Sequence, residues 1–439
     1  MHPTVVAQFP DPHDPGPGAP PGGVEPAVRV RTTRDLVAAV PALLGYRPQE
    51  SLTVVCVTGA GTVGLVARVG LDDLAAERAA SAGSHPPAAL GVRDRLVPAV
   101  RGVGTVTLVA VVHSARDRRA VRRVVAPVLD GLDAVCDVDP WHVAPTGYRG
   151  LDCEDPSCCP PDGHPTAGLE HGAVNAALVV AGRTVAPSWE EAHRIVRAPE
   201  ALRSRAARAA SRAARAAADR REDAGGGTGT DAVHGPPGSR ESRRRTAGLD
   251  LWHDLLRHAA VALRAEPGGT PELGPARLGR LAAALADVAV RDAVLLSLIP
   301  GADDVARRTA ARRPASPVGV ARDESAGAGG AESGDVEVAT ARAIARVVDP
   351  RVAVAPDPGT AAAARAVLEQ VVAHVPRRWH APPLTLLGVL AWWQGDGGLA
   401  MRRTSAAIEA DAQHRLAVLL RGVLAAAVPP GWVRARGVG

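Results

Sequence analysis

Two β-branched runs, Leu52–Val57 (LTVVCV) and Val63–Val69 (VGLVARV), flank the segment Thr58–Thr62 (TGAGT). Such a pair across a short Gly-containing loop predicts a β-hairpin. Both runs are apolar almost throughout, which predicts strands covered on both faces and helices packed against their sheet. Ahead of them, Arg34–Leu44 has helical apolar spacing, and its Pro41 predicts an end or a kink. Further along, Val103–Val112 (VGTVTLVAVV), Leu132–Asp139 and Trp141–Tyr148 read as strands, and Ala115–Leu132 as a helix between them. Strands alternating with helices in this way predict an α/β layer domain.

A dense polar group, Gly45-Tyr46-Arg47-Pro48-Gln49-Glu50-Ser51, enters the first strand. Tyr46, Arg47, Gln49, Glu50 and Ser51 offer a phenol, a guanidinium, an amide, a carboxylate and a hydroxyl to a small ligand, and loops before strands often carry such groups. The structural alternative is that these residues satisfy one another and the backbone, and it is the heavier expectation. Arg68 lies inside an apolar strand pattern. A buried guanidinium needs a partner, so Arg68 is expected to pair with Glu50, or else with Asp72 or Asp73, and it joins the candidate ligand-binding set. GAGTVG (Gly59–Gly64) matches a dinucleotide-binding spacing but joins two strands and opens no helix, so that reading is rejected.

Cys153, Cys158, Cys159, His164 and His171 lie close together in CEDPSCCPPDGHPTAGLEH. Zinc takes four thiolate or imidazole ligands, and Cys153, Cys158, Cys159 and His164 are the candidate set. Two of the cysteines are adjacent and none forms a CxxC pair. A Pro-rich loop with locally packed cysteines is therefore the first expectation, zinc the second and a redox thiol pair the third. No other cofactor is expected.

All 51 basic residues are arginine, and the chain has one phenylalanine and two tyrosines. Strong genomic GC bias produces such a composition, so the formal charge of +5 does not by itself point to nucleic acid. Arg205, Arg208, Arg212 and Arg215 recur at helical spacing as one stripe. Without interleaved aromatic residues to stack bases, a solvated face is expected there. No apolar run is long enough to span a bilayer, the N-terminal residues lack a signal-peptide pattern, and five cysteines is an odd number. The expectation is a cytoplasmic protein with reduced thiols, no membrane and no nucleic-acid partner.

LLGYRPQESLTVVCV followed by VGLVARVGLDDL resembles the opening of the actinobacterial domain of unknown function 4192 family. CCPPDGHP (Cys158–Pro165), VNAALVVAGRTVAPSWEE (Val174–Glu191) and LAWWQGDGGLA (Leu390–Ala400) are similar to later segments of that family. Gly70 stands where an aspartate is expected before the leucine, so no acidic role is expected there. The resemblance implies an intracellular bacterial protein and carries no reaction.

Gly388, Ala400 and Ala407 have the small-residue spacing of one tetratricopeptide unit, in which two antiparallel helices approach closely. A single unit makes no array, so a helical hairpin is expected, with Trp392 or Trp393 in its core and a turn at Gln394–Gly398. The expected organisation is a disordered Pro/Gly-rich tail (1–26), an α/β domain (27–198), an Arg/Ala-rich helix (199–222), a linker (223–248), a helical segment (249–311), a second linker (312–334) and a helical domain (335–430). The fold class is thus an α/β layer domain followed by an all-α domain. The expected function is non-enzymatic binding of a small molecule or protein partner. The alternative is a hydrolytic enzyme using the polar cluster near Glu50, with or without zinc at the cysteines.

Overall fold

The computed structural model describes residues 30–59, 63–81, 91–180, 185–225, 237–266, 268–312, 329–426 and 428–436. The chain divides into two compact units, one within Met1–Arg194 and one spanning Ile195–Ala435. The tail expected over 1–26 lies outside the described residues.

The first unit opens with α1 (Thr33–Leu44). Thr32 caps it by accepting the Asp35 N–H, while the Asp35 carboxylate accepts the Thr32 N–H, so two orphan donors are satisfied reciprocally. The helix runs through Pro41 instead of ending there. Pro41 deprives only the Val37 carbonyl of a donor, and buried Val37, Ala39 and Val40 hold the helix on the sheet. The hairpin β1 (Ser51–Thr58) and β2 (Val63–Gly70) follows as expected, then α2 (Leu71–Ser81), α3 (Val92–Gly102) and β3 (Thr105–His113). Next come α4 (Arg118–Asp133), β4 (Asp137–Ala144) and β5 (Gly147–Gly150). The unit closes with α5 (Ala167–Glu170), α6 (Ala173–Val180) and α7 (Trp189–Ala192).

The sheet has the order β2-β1-β3-β4-β5; β3 and β4 are parallel, joined by the α4 crossover, and the other pairs are antiparallel. Alternate residues feed two cores. Val55, Val57, Val109 and Val111 face Val37, Val40, Leu169 and Leu178, whereas Leu52, Val54, Leu108 and Ala110 face Leu96, Val121, Val125 and Leu132. A sheet with a helical core on each face is the α/β layer architecture that the runs imply. The break expected between Asp139 and Trp141 is absent, because Pro140 sits inside β4. On the β5 side the Leu151 N–H donates to the Pro140 carbonyl, while the Leu151 carbonyl accepts from Arg118, so the missing N–H does not leave that carbonyl without a donor.

The second unit is all helical apart from connections. It runs α8 (Glu200–Gly225), α9 (Pro237–Ala265), α10 (Pro275–Leu285), α11 (Val288–Ser297), α12 (Asp303–Ala311) and α13 (Gly329–Val348). It continues α14 (Pro358–His374), α15 (Ala381–Trp393), α16 (Gly397–Ala410), α17 (Arg415–Ala425) and α18 (Gly431–Arg436). Both expected linkers are narrower than their composition suggests. Residues 237–248 belong to α9 and residues 329–334 to α13, and Arg245 is buried against Asp287. The remaining parts, 226–236 and 313–328, lie outside the described residues.

Helices α15 and α16 form the expected hairpin. A Cβ on Gly388 would lie 2.7 Å from Thr404 Oγ1, so glycine sets how closely the two helices pack. Both Trp392 and Trp393 are buried, and their indole N–H groups donate to the carbonyls of Val428 and Val354. Arg205, Arg208, Arg212 and Arg215 are exposed along α8 while Ala206, Ala209 and Ala210 are buried, the solvated stripe that the spacing implies.

Candidate functional site

A cavity of about 620 Å³ opens in the first unit where β3 and β4 end and β1 begins. In open α/β sheets the carboxyl ends of parallel strands are the usual place for a ligand, because helices cannot cover the sheet there. Its apolar wall comes from α1 and α6, with Val37, Ala42, Leu178 and Val179. Its polar lining includes Arg47, Gln49, Glu50, His113, Ser114, Glu170 and Asn175.

Glu50 organises one side. It has φ 41°, the sole positive φ outside glycine among the described residues. That conformation costs about 1–3 kcal/mol and persists only where surrounding contacts over-determine it. Those contacts are present. The Glu50 carboxylate accepts the Ser114 hydroxyl at 3.0 Å, the Ala115 N–H at 2.9 Å and Arg116 Nε at 2.8 Å, and its carbonyl accepts the Leu71 N–H. Glu50 therefore clamps the loop after β3 to the start of β1. Opposite it, Arg47 pairs with Glu170 at 2.6 Å on the rim.

His113 lines the cavity, and behind that lining lie buried polar atoms without a hydrogen-bond partner: His113 Nδ1, Ser51 Oγ and Thr53 Oγ1. Ser51 lies directly across the ladder from His113, and Thr53 across from Val111, so the three groups share one face of the sheet. Burial pushes the His113 imidazole down to about 4, with help from the neighbouring His142, so it is neutral at ordinary pH. Unsatisfied buried polar atoms are uncommon in folded proteins and call for an explanation.

Of the six residues singled out from the sequence, Arg47, Gln49 and Glu50 line the cavity, whereas Tyr46, Ser51 and Arg68 do not. Tyr46 packs edge-on to His193, and Ser51 is fully buried. The acidic partner expected for Arg68 is a correction: β2 is the edge strand, Arg68 is exposed, and it donates to the Gln49 carbonyl at 3.2 Å. Glu50 and Asp72 are both taken by Arg116. Sequence reasoning missed His113, Ser114, Glu170 and Asn175. The available signal was the pair His113-Ser114 directly after the apolar run of β3, where the chain leaves the sheet.

A second cluster lies beyond β5. The sulfur atoms of Cys153, Cys158 and Cys159 all come within 4.8 Å of one another. Neither His164 nor His171 belongs to that group. His164 Nε2 meets the Cys158 carbonyl at 2.7 Å, and its backbone pairs with Tyr148 in both directions. Hydrogen bonds from the Asp155 backbone and the Cys159 side chain pull the Cys153 thiol down, while bonding with Cys153 and Cys159 pushes Cys158 up to about 11.

The second unit has its own cavity of about 1130 Å³, with Leu295, Ile344, Trp392 and Leu419 among its lining. No helix among the described residues is long and apolar enough to cross a membrane.

The family described as Domain of unknown function (DUF4192) matches the chain over residues 34–318 and 306–431. No curated protein and no solved structure matches it.

Proposed function

This chain belongs to the family of the domain of unknown function 4192, and from that premise we propose that its first unit binds a small neutral molecule in the cavity at the end of β3 and β4. The observation that carries this reading is the His113 imidazole in the cavity lining, a ring kept neutral by burial beside the apolar wall. A ligand with a hydroxyl, amide or ring N–H head would suit that neutral ring and the polar groups beside it, and an apolar body would cover the α1 and α6 wall. Arg47 and Glu170 neutralise each other at the rim, as do Arg116 and Glu50, so the lining offers no unpaired charge to an ion. The hydrolytic alternative has less support, because the Glu50 carboxylate that would serve as base is engaged by three donors. We further infer a cytoplasmic, actinobacterial setting, supported by the odd cysteine number and the arginine-only composition.

Equilibrium dialysis of the full chain against a bacterial metabolite extract, with mass spectrometry of what it retains, tests the proposal. The wild type should retain one small neutral compound. Val179→Trp, which fills the mouth from an exposed position on α6, should abolish retention. His113→Ala should weaken it about tenfold, the effect of one buried hydrogen bond. A chain that retains nothing, or variants that retain as much as wild type, would overturn it.

A further inference from the structure

We propose that Cys153, Cys158 and Cys159 form a three-thiolate site for a zinc ion, with a fourth position that the protein leaves to solvent or an exogenous ligand. The proposal does not rest on the cavity. Four thiolate or imidazole donors at about 2.3 and 2.0 Å surround zinc in closed sites, and sulfurs bound to one ion stand roughly 3.8 Å apart. Three sulfurs already within 4.8 Å of one another need only small side-chain rotations to reach that geometry.

The surroundings are built to hold them. Cys158 and Cys159 both direct their N–H groups at the Asp155 carbonyl, which turns the chain back so that Cys158 and Cys159 face Cys153. The Gly150 N–H donates to Cys159 Sγ at 3.4 Å, an orientation that stabilises a thiolate and commonly supports metal-bound sulfur. A Cβ on Gly150 would lie 3.0 Å from Cys153 Cβ, a tight contact, and 3.7 Å from Cys159 Sγ, so the strand runs directly against the cluster. The backbone pairing of His164 with Tyr148 fixes the other end of the loop to β5.

Charge is also matched. Zinc held by three thiolates carries one surplus negative charge. Arg118 donates to the Cys153 carbonyl at 2.9 Å, and Arg149 donates to the Pro161 carbonyl at 2.8 Å with its other nitrogen 3.5 Å from the carbonyls of Cys153 and Cys159. Two guanidinium groups thus flank the cluster. Binding replaces three S–H protons, released to solvent, by three zinc–sulfur bonds, with no change of oxidation state. The site differs from the ligand set read from the sequence in excluding His164, and that difference can be tested. Cys158 is exposed, which keeps the fourth position reachable from solvent.

The test uses the full chain, reduced and loaded with zinc under nitrogen, then freed of unbound metal. Wild type and His164→Gln should each carry one zinc per chain by elemental analysis. Cys153→Ser and Cys158→Ser should carry none after the same wash. Alkylation of the wild type gives a second readout that does not depend on the folding of a serine variant. Zinc should protect Cys153 and Cys158, the two cluster residues that reach the surface, and leave Cys136 unprotected, as mapped by peptide mass. No zinc in the reduced wild type, unprotected thiols in its presence, or loss of zinc in His164→Gln would each overturn the three-sulfur site. A disulfide within the cluster that forms in air while zinc never binds would replace it with a redox role.

Discussion

In the α/β unit, the ion pairs beside the cavity and along α4 (Arg47–Glu170, Arg116–Glu50 and Arg122–Asp152) keep every side chain at least 36% exposed. In the helical unit, Arg245 and Asp287 meet with 8% and 6% of their side chains exposed, and Arg403 reaches Glu369 from an equally buried position. The same residue type therefore has different work in the two units. A central sheet fills both cores with β-branched side chains and sends its charges to strand ends. Helices rich in alanine leave space between them that a long arginine stem fills, and the guanidinium at its end must then find a carboxylate indoors. The second unit thus carries ion pairs in its interior as well as exposed ones such as Arg307–Asp250, whereas the pairs beside the first unit's cavity stay at the surface.

The largest effect that could break this contrast comes from Asp287. Burial pushes its carboxyl up, yet the bonds from Arg245 and Arg244 hold it below the usual carboxylate range overall. It also caps α11 by accepting the Ala289 N–H. Asp287→Ala removes the cap and the buried carboxylate that both arginines share, leaving them Glu241 as their remaining acid, and it should cost about 3–4 kcal/mol in urea unfolding. Arg245→Met with Asp287→Leu should recover part of that loss. A single variant that costs less than about 1 kcal/mol would show that the buried pair contributes no more than the exposed ones.

A smaller effect belongs to the first unit and depends on pH. The folded His113 titrates near 4 and the unfolded residue near 6.5, so between these values the unfolded chain binds more protons. Stability from keeping this imidazole neutral is complete above about 6.5 and is lost as pH falls towards 4, by on the order of 3 kcal/mol. His142, whose own value burial lowers, stands beside it and contributes in the same direction. Unfolding of wild type and His113→Asn across this window should show a shallower slope for the variant. Equal slopes would mean that His113 is hydrated and protonates freely, and would remove the neutral floor on which the ligand reading stands.

Much of the fold was written locally. LTVVCV and VGLVARV are strands because β-branched residues occupy consecutive positions, and Gly388, Ala400 and Ala407 mark a helix pair because small residues recur at its crossing. What was not legible depends on neighbours distant in sequence. Residues 237–248 read as linker because GSRESRRRTAG is polar, yet the carboxylate that buries Arg245 lies 42 positions away. Pro41 read as a break because the packing that carries α1 past it comes from strands not yet formed. The site divides in the same way. Arg47, Gln49 and Glu50 were visible as a polar group before a strand, whereas His113 and Glu170 join them only through the ladder and the turn into α6. The proximity of three sulfurs was visible, but the removal of His164 from their group required its pairing with Tyr148.

Arg68 carries the smallest prediction and the sharpest test of the comparison. As a residue within an apolar run it should behave like the buried arginines of the helical unit, but the sheet order puts its strand at the edge. Its guanidinium donates to the Gln49 carbonyl and lies 6.0 Å from the centre of the Tyr46 ring. An exposed cation over an aromatic ring contributes about 0.5–1 kcal/mol. Arg68→Ala should therefore shift the urea midpoint by no more than that, and addition of salt should change little, since no carboxylate is paired with it among the described residues. Arg68→Met should be close to neutral, because its stem still covers Tyr46. A loss of several kcal/mol in either variant would place a buried, partnered charge in the α/β unit and erase the distinction between the two halves of the chain.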